Sequence, residues 1–416
     1  MMRFLHALSV ATIATIVTGL SAAPIAARTQ PTRSRFQLER VVIVMRHGVR
    51  APLAGEIPLD TRSAQPWPRW PVAEGHLTPH GAAAMQVLAR HDRHWLASLG
   101  LPRCPVSGSV RIWANTAERT IASGEAYAAG FAPGCALPVG HLAVDRVDPL
   151  FEPLRAGATA FNPQQAIASI NHYTGGMAAL TARHQRPITF LNRVLGCDVG
   201  QACSPVIPTT LTPSADGHGV DLAGPIRATS DIAQVLLLQE AEGMPRTSVG
   251  WGRADPAAIE RLGTLHAALF DVFTRSPYMA AHQASVLGHH IMDALVTPRA
   301  PRLEILVGHD TNVTALAALL HVDLDAPGFA RNDVAPGGAL VIEQLRDRRS
   351  SRLFVRVFYR AQGLSAIRLL RQNITVHRLS ILGCGEPCRL DRFSYLLKSR
   401  LSRPQGSEFD RLPEKQ

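Results

Sequence analysis

Hydrophobic and polar positions fall into two textures along the 416-residue chain. Toward its ends, short aliphatic and β-branched runs predict buried strands: Val41-Val42-Ile43-Val44-Met45, Val110-Arg111-Ile112-Trp113-Ala114 and Leu303-Glu304-Ile305-Leu306-Val307. The runs at 339–343 and 353–358 predict a hairpin, with Arg346, Arg348, Arg349 and Arg352 in its solvated loop. Between these groups, 164–180, 226–242 and 256–273 carry apolar residues at helical spacing among Ala, Leu, Gln and Glu. The order predicts an α/β domain assembled from 37–160 and 291–400, a helical cap domain inserted at 161–290, and a polar tail at 404–416. The length exceeds what one core usually holds, which also favours two lobes.

The first residues change the compartment. Arg3, an apolar run over 7–20 and small residues over 21–27 form a secretory leader, with cleavage near Ala27 and Ala23 as the alternative. The run is short for a bilayer, and no later segment is apolar enough, so a soluble, exported chain without a membrane partner is expected. Six cysteines in such a chain point to disulfides over metal. Fifteen pairings are possible. Cys104 with Cys135, Cys197 with Cys203 and Cys384 with Cys388 is the simplest, each pair closing one local loop. The net charge of +11 favours anionic partners, but scattered arginines and 6% aromatics provide no stacking stripe for nucleic acid.

Chemistry concentrates where strands end. Arg46-His47-Gly48-Val49-Arg50-Ala51-Pro52 follows the first strand, placing a nucleophilic imidazole between two guanidinium forks that can hold phosphate oxygens. Gly48 is read as letting the backbone pass close to a ligand. Arg119 follows the second strand in the first turn of a helix for which Thr116 is the expected N-cap. Gly308-His309-Asp310 follows the third, with a helix expected over 313–320. Singly, Arg119 and His309-Asp310 read as ordinary helix or core residues. Together they place five groups around one anion. Arg90-His91-Asp92-Arg93-His94 reads as a solvated helix face, although His91 and His94 have metal-ligand spacing, and His289-His290 reads as structural.

These motifs, with Gly75-His76-Leu77-Thr78-Pro79-His80-Gly81, Glu118-Arg119-Thr120, Gly243-Met244-Pro245, Gly250-Trp251-Gly252-Arg253 and Pro336-Gly337-Gly338, resemble the histidine acid phosphatases, particularly their bacterial periplasmic branch. The resemblance runs from about Arg40 to Cys388. It implies a phosphoglycerate-mutase-like α/β domain with a central mixed sheet, the three local disulfides, and no metal or other cofactor. It assigns His47 as nucleophile, Asp310 as proton donor, and Arg46, Arg50, Arg119 and His309 as phosphate ligands.

The pocket is less decisive. By the same resemblance, Leu53 and Ala54 stand where phytases carry a threonine and a lysine, Asn115 where they usually have aspartate, and Gln234 and Gln283 in place of charged residues. Gly48 and Gly243-Met244-Pro245 lean toward the phytases. The expectation is an acid phosphatase for small phosphomonoesters such as sugar phosphates, phytate being a poorer substrate. The alternatives are a phytase, a mutase-type phosphoryl transferase, which export disfavours, and a binding protein that needs the arginines without reacting His47 or Asp310.

Overall fold

In the computed structural model, residues 34–106, 108–197, 203 and 207–405 are described. The leader expected at 1–27 and all but the first two residues of the tail expected at 404–416 lie outside them. Pro404 forms a β-bridge with Thr159, so the chain is still anchored where the tail was expected to begin. Residues from Phe36 onward form one compact unit.

The strands are β1 (Phe36–Arg46), β2 (Val110–Ala114), β3 (Val139–Gly140), β4 (Thr210–Pro213), β5 (Val220–Ala223), β6 (Leu303–Gly308), β7 (Ala339–Asp347), β8 (Leu353–Gln362), β9 (Ile374–Leu379) and β10 (Cys388–Arg389). Apart from the β4–β5 hairpin, they form one mixed sheet in the order β10-β8-β7-β1-β6-β2-β3, with β9 also paired to β8. β1 and β2 both run parallel to β6, and β7 is antiparallel to β1. The carboxyl ends of β1, β2 and β6 therefore emerge side by side. β1 needs its unbroken apolar run because both faces are covered. Val41, Ile43 and Met45 pack on one side with Met85, Leu88 and Tyr127. Val42 and Val44 pack on the other with Val313 and Leu316.

The helices are α1 (Pro79–Trp95), α2 (Glu118–Phe131), α3 (Pro163–Thr174), α4 (Met177–Arg183), α5 (Gln185–Leu195), α6 (Pro225–Ala241), α7 (Pro256–Phe270), α8 (Pro277–Gln283), α9 (Ser285–Val296), α10 (Asp310–Leu319), α11 (Leu364–Arg368) and α12 (Leu390–Arg400). The helix predicted over 164–180 is two helices, because Gly175 and Gly176 take φ of 73° and 91°, a left-handed region that glycine enters without steric cost. The one predicted over 256–273 ends at Phe270 and opens into a wider turn at Asp271–Arg275. Arg346 lies within β7, not in the hairpin loop, and its guanidinium pairs with Glu39 at 2.5 Å.

The largest correction concerns Asp92. It is fully buried, not part of a solvated face. Arg360, also fully buried, lies 2.9 Å from its carboxylate, and the Tyr127 hydroxyl donates to the same oxygen at 2.8 Å. A charged residue in a polar-looking run can face inward when its partner comes from another element, here β8. The three local cysteine pairs are bonded as disulfides. Among the described residues, no helix is long and apolar enough to cross a membrane.

Candidate active site

β1 stops at Arg46 and its continuation is clamped by its neighbours. The His47 N–H donates to the Gly308 carbonyl at 3.0 Å, and the His47 carbonyl accepts from the Gly337 N–H at 3.0 Å. The side chain is buried, with Nδ1 2.8 Å from the Gly48 carbonyl oxygen. Because a carbonyl only accepts, this contact assigns the hydrogen to Nδ1 and leaves the Nε2 lone pair free. Burial, then Arg119, Arg46, Arg50 and His309, pushes the imidazole pKa well below 6.5. Burial outranks the cations as the cause of this depression. Gly48 is small for a reason other than ligand approach: a Cβ there would lie 2.9 Å from Met85 Cγ and 3.2 Å from the Gly81 carbonyl oxygen. The glycine lets the loop seat against α1.

Arg46 is fully buried; its Nη1 donates to the Val334 carbonyl, and its Nη2 lies 3.2 Å from Asp310 Oδ2. Arg119 sits in the first turn of α2, as expected, but the N-cap is Ala117. Thr116 instead turns its hydroxyl to the Arg146 carbonyl at 3.0 Å. Ser123, one turn along α2, accepts from the Gly48 N–H at 2.9 Å and donates to the Arg119 carbonyl at 2.6 Å, tying the helix to the His47 loop. Burial and the neighbouring Arg50 lower the Arg119 pKa to about 10.

His309 and Asp310 join β6 to α10. Asn115 Oδ1 already accepts from the Ala117 N–H, so the His309 Nε2 3.1 Å away donates to it. The Asn115 amide in turn donates to Glu152 at 3.1 Å. Burial, then Arg119, lowers the His309 pKa to about 4. For Asp310, burial favours protonation, but Arg46, His266, His309 and Arg50 outweigh it and hold the carboxyl at about 2. Before substrate arrives, Asp310 is a carboxylate above about pH 2 and His309 is neutral above about pH 4.

His47, Arg50, Arg119, His309 and Asp310 line one cavity of about 710 Å³. Leu53, Ala54 and Gln283 also line it. Asn115 does not line it but bonds to two residues that do, His309 and Glu152. Gln234 is buried in α6 and does not face the cavity; Arg227 and Asp231, earlier on the same helix, do. Sequence reasoning also missed Glu56 and His266. The first binds Arg50 across a loop; the second faces the cavity and pairs with Asp333 at 2.8 Å. Neither carries a local signal, since one is a lone acid in a turn and the other meets its partner only through folding. Among the described residues, no group of three or more His, Cys, Asp or Glu could hold a metal ion.

Comparison with known proteins agrees with this geometry. The histidine phosphatase superfamily (branch 2) matches residues 37–206. Phytase AppA of Escherichia coli (strain K12) is 35% identical over 386 residues, covering 84% of this chain and 88% of that protein. A glucose-1-phosphatase of Salmonella typhimurium is 28% identical over 410 residues, covering 93% and 98%. Among solved structures, Hafnia alvei phytase in complex with tartrate superposes with a TM-score of 0.81 at 31% identity, covering 89% of this chain and 98% of that one. The fold and the cradle at its three strand ends are those of a phosphoric monoester hydrolase. The chain belongs to the histidine phosphatase superfamily, in its second branch.

Proposed function

We propose that this enzyme hydrolyses small phosphomonoesters, with sugar phosphates as the favoured class, through a phosphohistidine on His47, and that it works as an exported, periplasmic enzyme. The single observation that carries the mechanism is the pairing of a bare Nε2 on His47 with three surrounding arginines. Arg46, Arg50 and Arg119 each retain a buried Nε–H without a protein acceptor, and an oxyanion held among them supplies acceptors. In this reading, helices within 161–290 act as a cap over the outer pocket.

In the first step, His47 Nε2 donates its lone pair to phosphorus, the ester P–O bond breaks, and the leaving oxygen takes a proton from Asp310. The phosphate must bring that proton within reach. Its negative charge offsets Arg46 and raises the Asp310 pKa from the low value of the empty site. In the second step, water attacks the phosphohistidine and gives its proton to Asp310, which releases phosphate and restores both residues. Arg46, Arg50, Arg119 and His309 bind the phosphate throughout.

The pocket's charge balance supports a singly phosphorylated substrate. Beyond the cradle, Arg155, Arg227 and His218 face Glu56, Glu152, Asp216 and Asp231, a mixed lining suited to hydroxyl groups. The basic members, with the similarity to phytases, favour phytate as a second reading. A panel of glucose 1-phosphate, phytate and an aryl phosphate separates the two by kcat/KM. His47→Ala is expected to lose at least ~10³-fold in kcat on every ester, and acid-quenched wild type should trap a phosphohistidine. Retained hydrolysis in H47A would refute the covalent route.

A further inference from the structure

Glu56 occupies part of the apparatus assigned to phosphate. Its carboxylate accepts from Arg50 Nη1 at 2.8 Å and Nη2 at 2.5 Å, a bidentate fork of the kind a phosphate would otherwise take. Its Oε2 also accepts from the Leu53 N–H at 2.8 Å, which fixes the loop and aims the carboxylate at Arg50. Arg50 Nη1 is further bound to the Ala51 carbonyl at 3.0 Å, so only the Nε of this guanidinium is without a protein partner. The pair is largely removed from water, with side chains 5% and 12% exposed. A partly desolvated ion pair is little screened by salt.

The result is an arginine that enters the cradle already neutralised, beside a carboxylate that lines the same cavity. From the other side, α6 brings Asp231 to the same cavity, close enough to Glu56 and Arg50 to be influenced by both charges. A substrate whose single phosphate sits on His47 leaves Glu56 to accept hydrogen bonds from its hydroxyls. A substrate with further phosphates brings anions against that carboxylate, with one fewer free cation to meet them.

We propose that Glu56 is a specificity-determining residue that turns the cavity against polyphosphorylated substrates and toward monophosphates carrying free hydroxyls. The inference rests on the phosphatase reading of this same site. Repulsion of this kind discriminates without adding affinity for the favoured substrate.

The test compares full-length wild type, E56Q and E56D by kcat/KM on glucose 1-phosphate, phytate and an aryl phosphate, with H47A as a control and circular dichroism as a check of folding. The expected result is that E56Q shifts the glucose 1-phosphate to phytate ratio at least ~10-fold toward phytate, a change of ~1.4 kcal/mol, while E56D keeps the parental ratio. A ratio within twofold of wild type in a folded E56Q overturns the proposal, as does an equal shift in E56D, which would make Glu56 a matter of loop shape and not of charge. If E56Q does not fold, D231N assayed above pH 6, where Asp231 is charged, provides the second arm: removing the facing charge should shift the ratio in the same direction, and an unmoved ratio counts against the proposal. Aryl phosphatase activity surviving in H47A would bring down the site reading itself. Loss of that activity in H47A with an unmoved ratio in E56Q would bring down the inference about Glu56 alone.

Discussion

At the scale of single residues, the site turns on which nitrogen of each imidazole is occupied. The Gly48 carbonyl at 2.8 Å holds the hydrogen of His47 on Nδ1, and Asn115 at 3.1 Å takes the Nε2–H of His309. Asn115 is neutral, so nothing at that contact opposes the burial that sets His309 near 4. Asn115→Asp would put a carboxylate against the ring and favour the protonated imidazolium. The sign follows: the His309 pKa rises and its cationic form persists to higher pH, so on the proposed role of His309 as a phosphate ligand the descending limb of the kcat/KM profile should move up by about 1–2 pH units. A pH–rate profile of the variant against wild type checks this, and an unmoved limb would show that His309 binds phosphate as the neutral ring.

At the scale of elements, catalytic geometry depends on how strand ends are pinned from behind. Arg360 on β8 donates to the Gly337 carbonyl at 2.5 Å, and the Gly337 N–H in turn holds the His47 carbonyl. Asp92 on α1 neutralises Arg360 inside the core. This chain of contacts joins α1, β8 and the 335–338 turn to the His47 loop. Asp92→Ala would leave Arg360 as an unpaired buried cation, a defect that costs about 3–5 kcal/mol. Denaturant unfolding should show that loss as a lower midpoint. A stability within ~1 kcal/mol of wild type would mean that water reaches Arg360. The strands bearing His47, Arg119 and His309-Asp310 were legible because each buried apolar run ends in charged groups. The 335–338 turn and Asp92 were not, since their roles come from β8, which is distant in sequence.

At the scale of the whole molecule, stability rests partly on covalent loops. Cys104–Cys135 closes a 31-residue separation that spans β2 and α2, the elements that deliver Arg119. On the chain-entropy account, replacing both cysteines with serine removes about 3–4 kcal/mol, measurable as a lower unfolding midpoint; an unchanged midpoint would show that the native packing fixes this loop unaided. The sequence by itself determined the α/β class and the three strand-end clusters, because buried strands leave local patterns, whereas the mixed sheet and the choice among the cysteine pairings were what the family resemblance implied. Only the tertiary structure decided what surrounds the strand-end groups: Glu56 on the Arg50 fork, Asp231 in place of Gln234 on the cavity wall, and the Asp92–Arg360 pair behind the His47 loop. Each depends on side chains meeting across elements, and the hydrophobic periodicity that places an element does not encode which of its polar residues will find a partner.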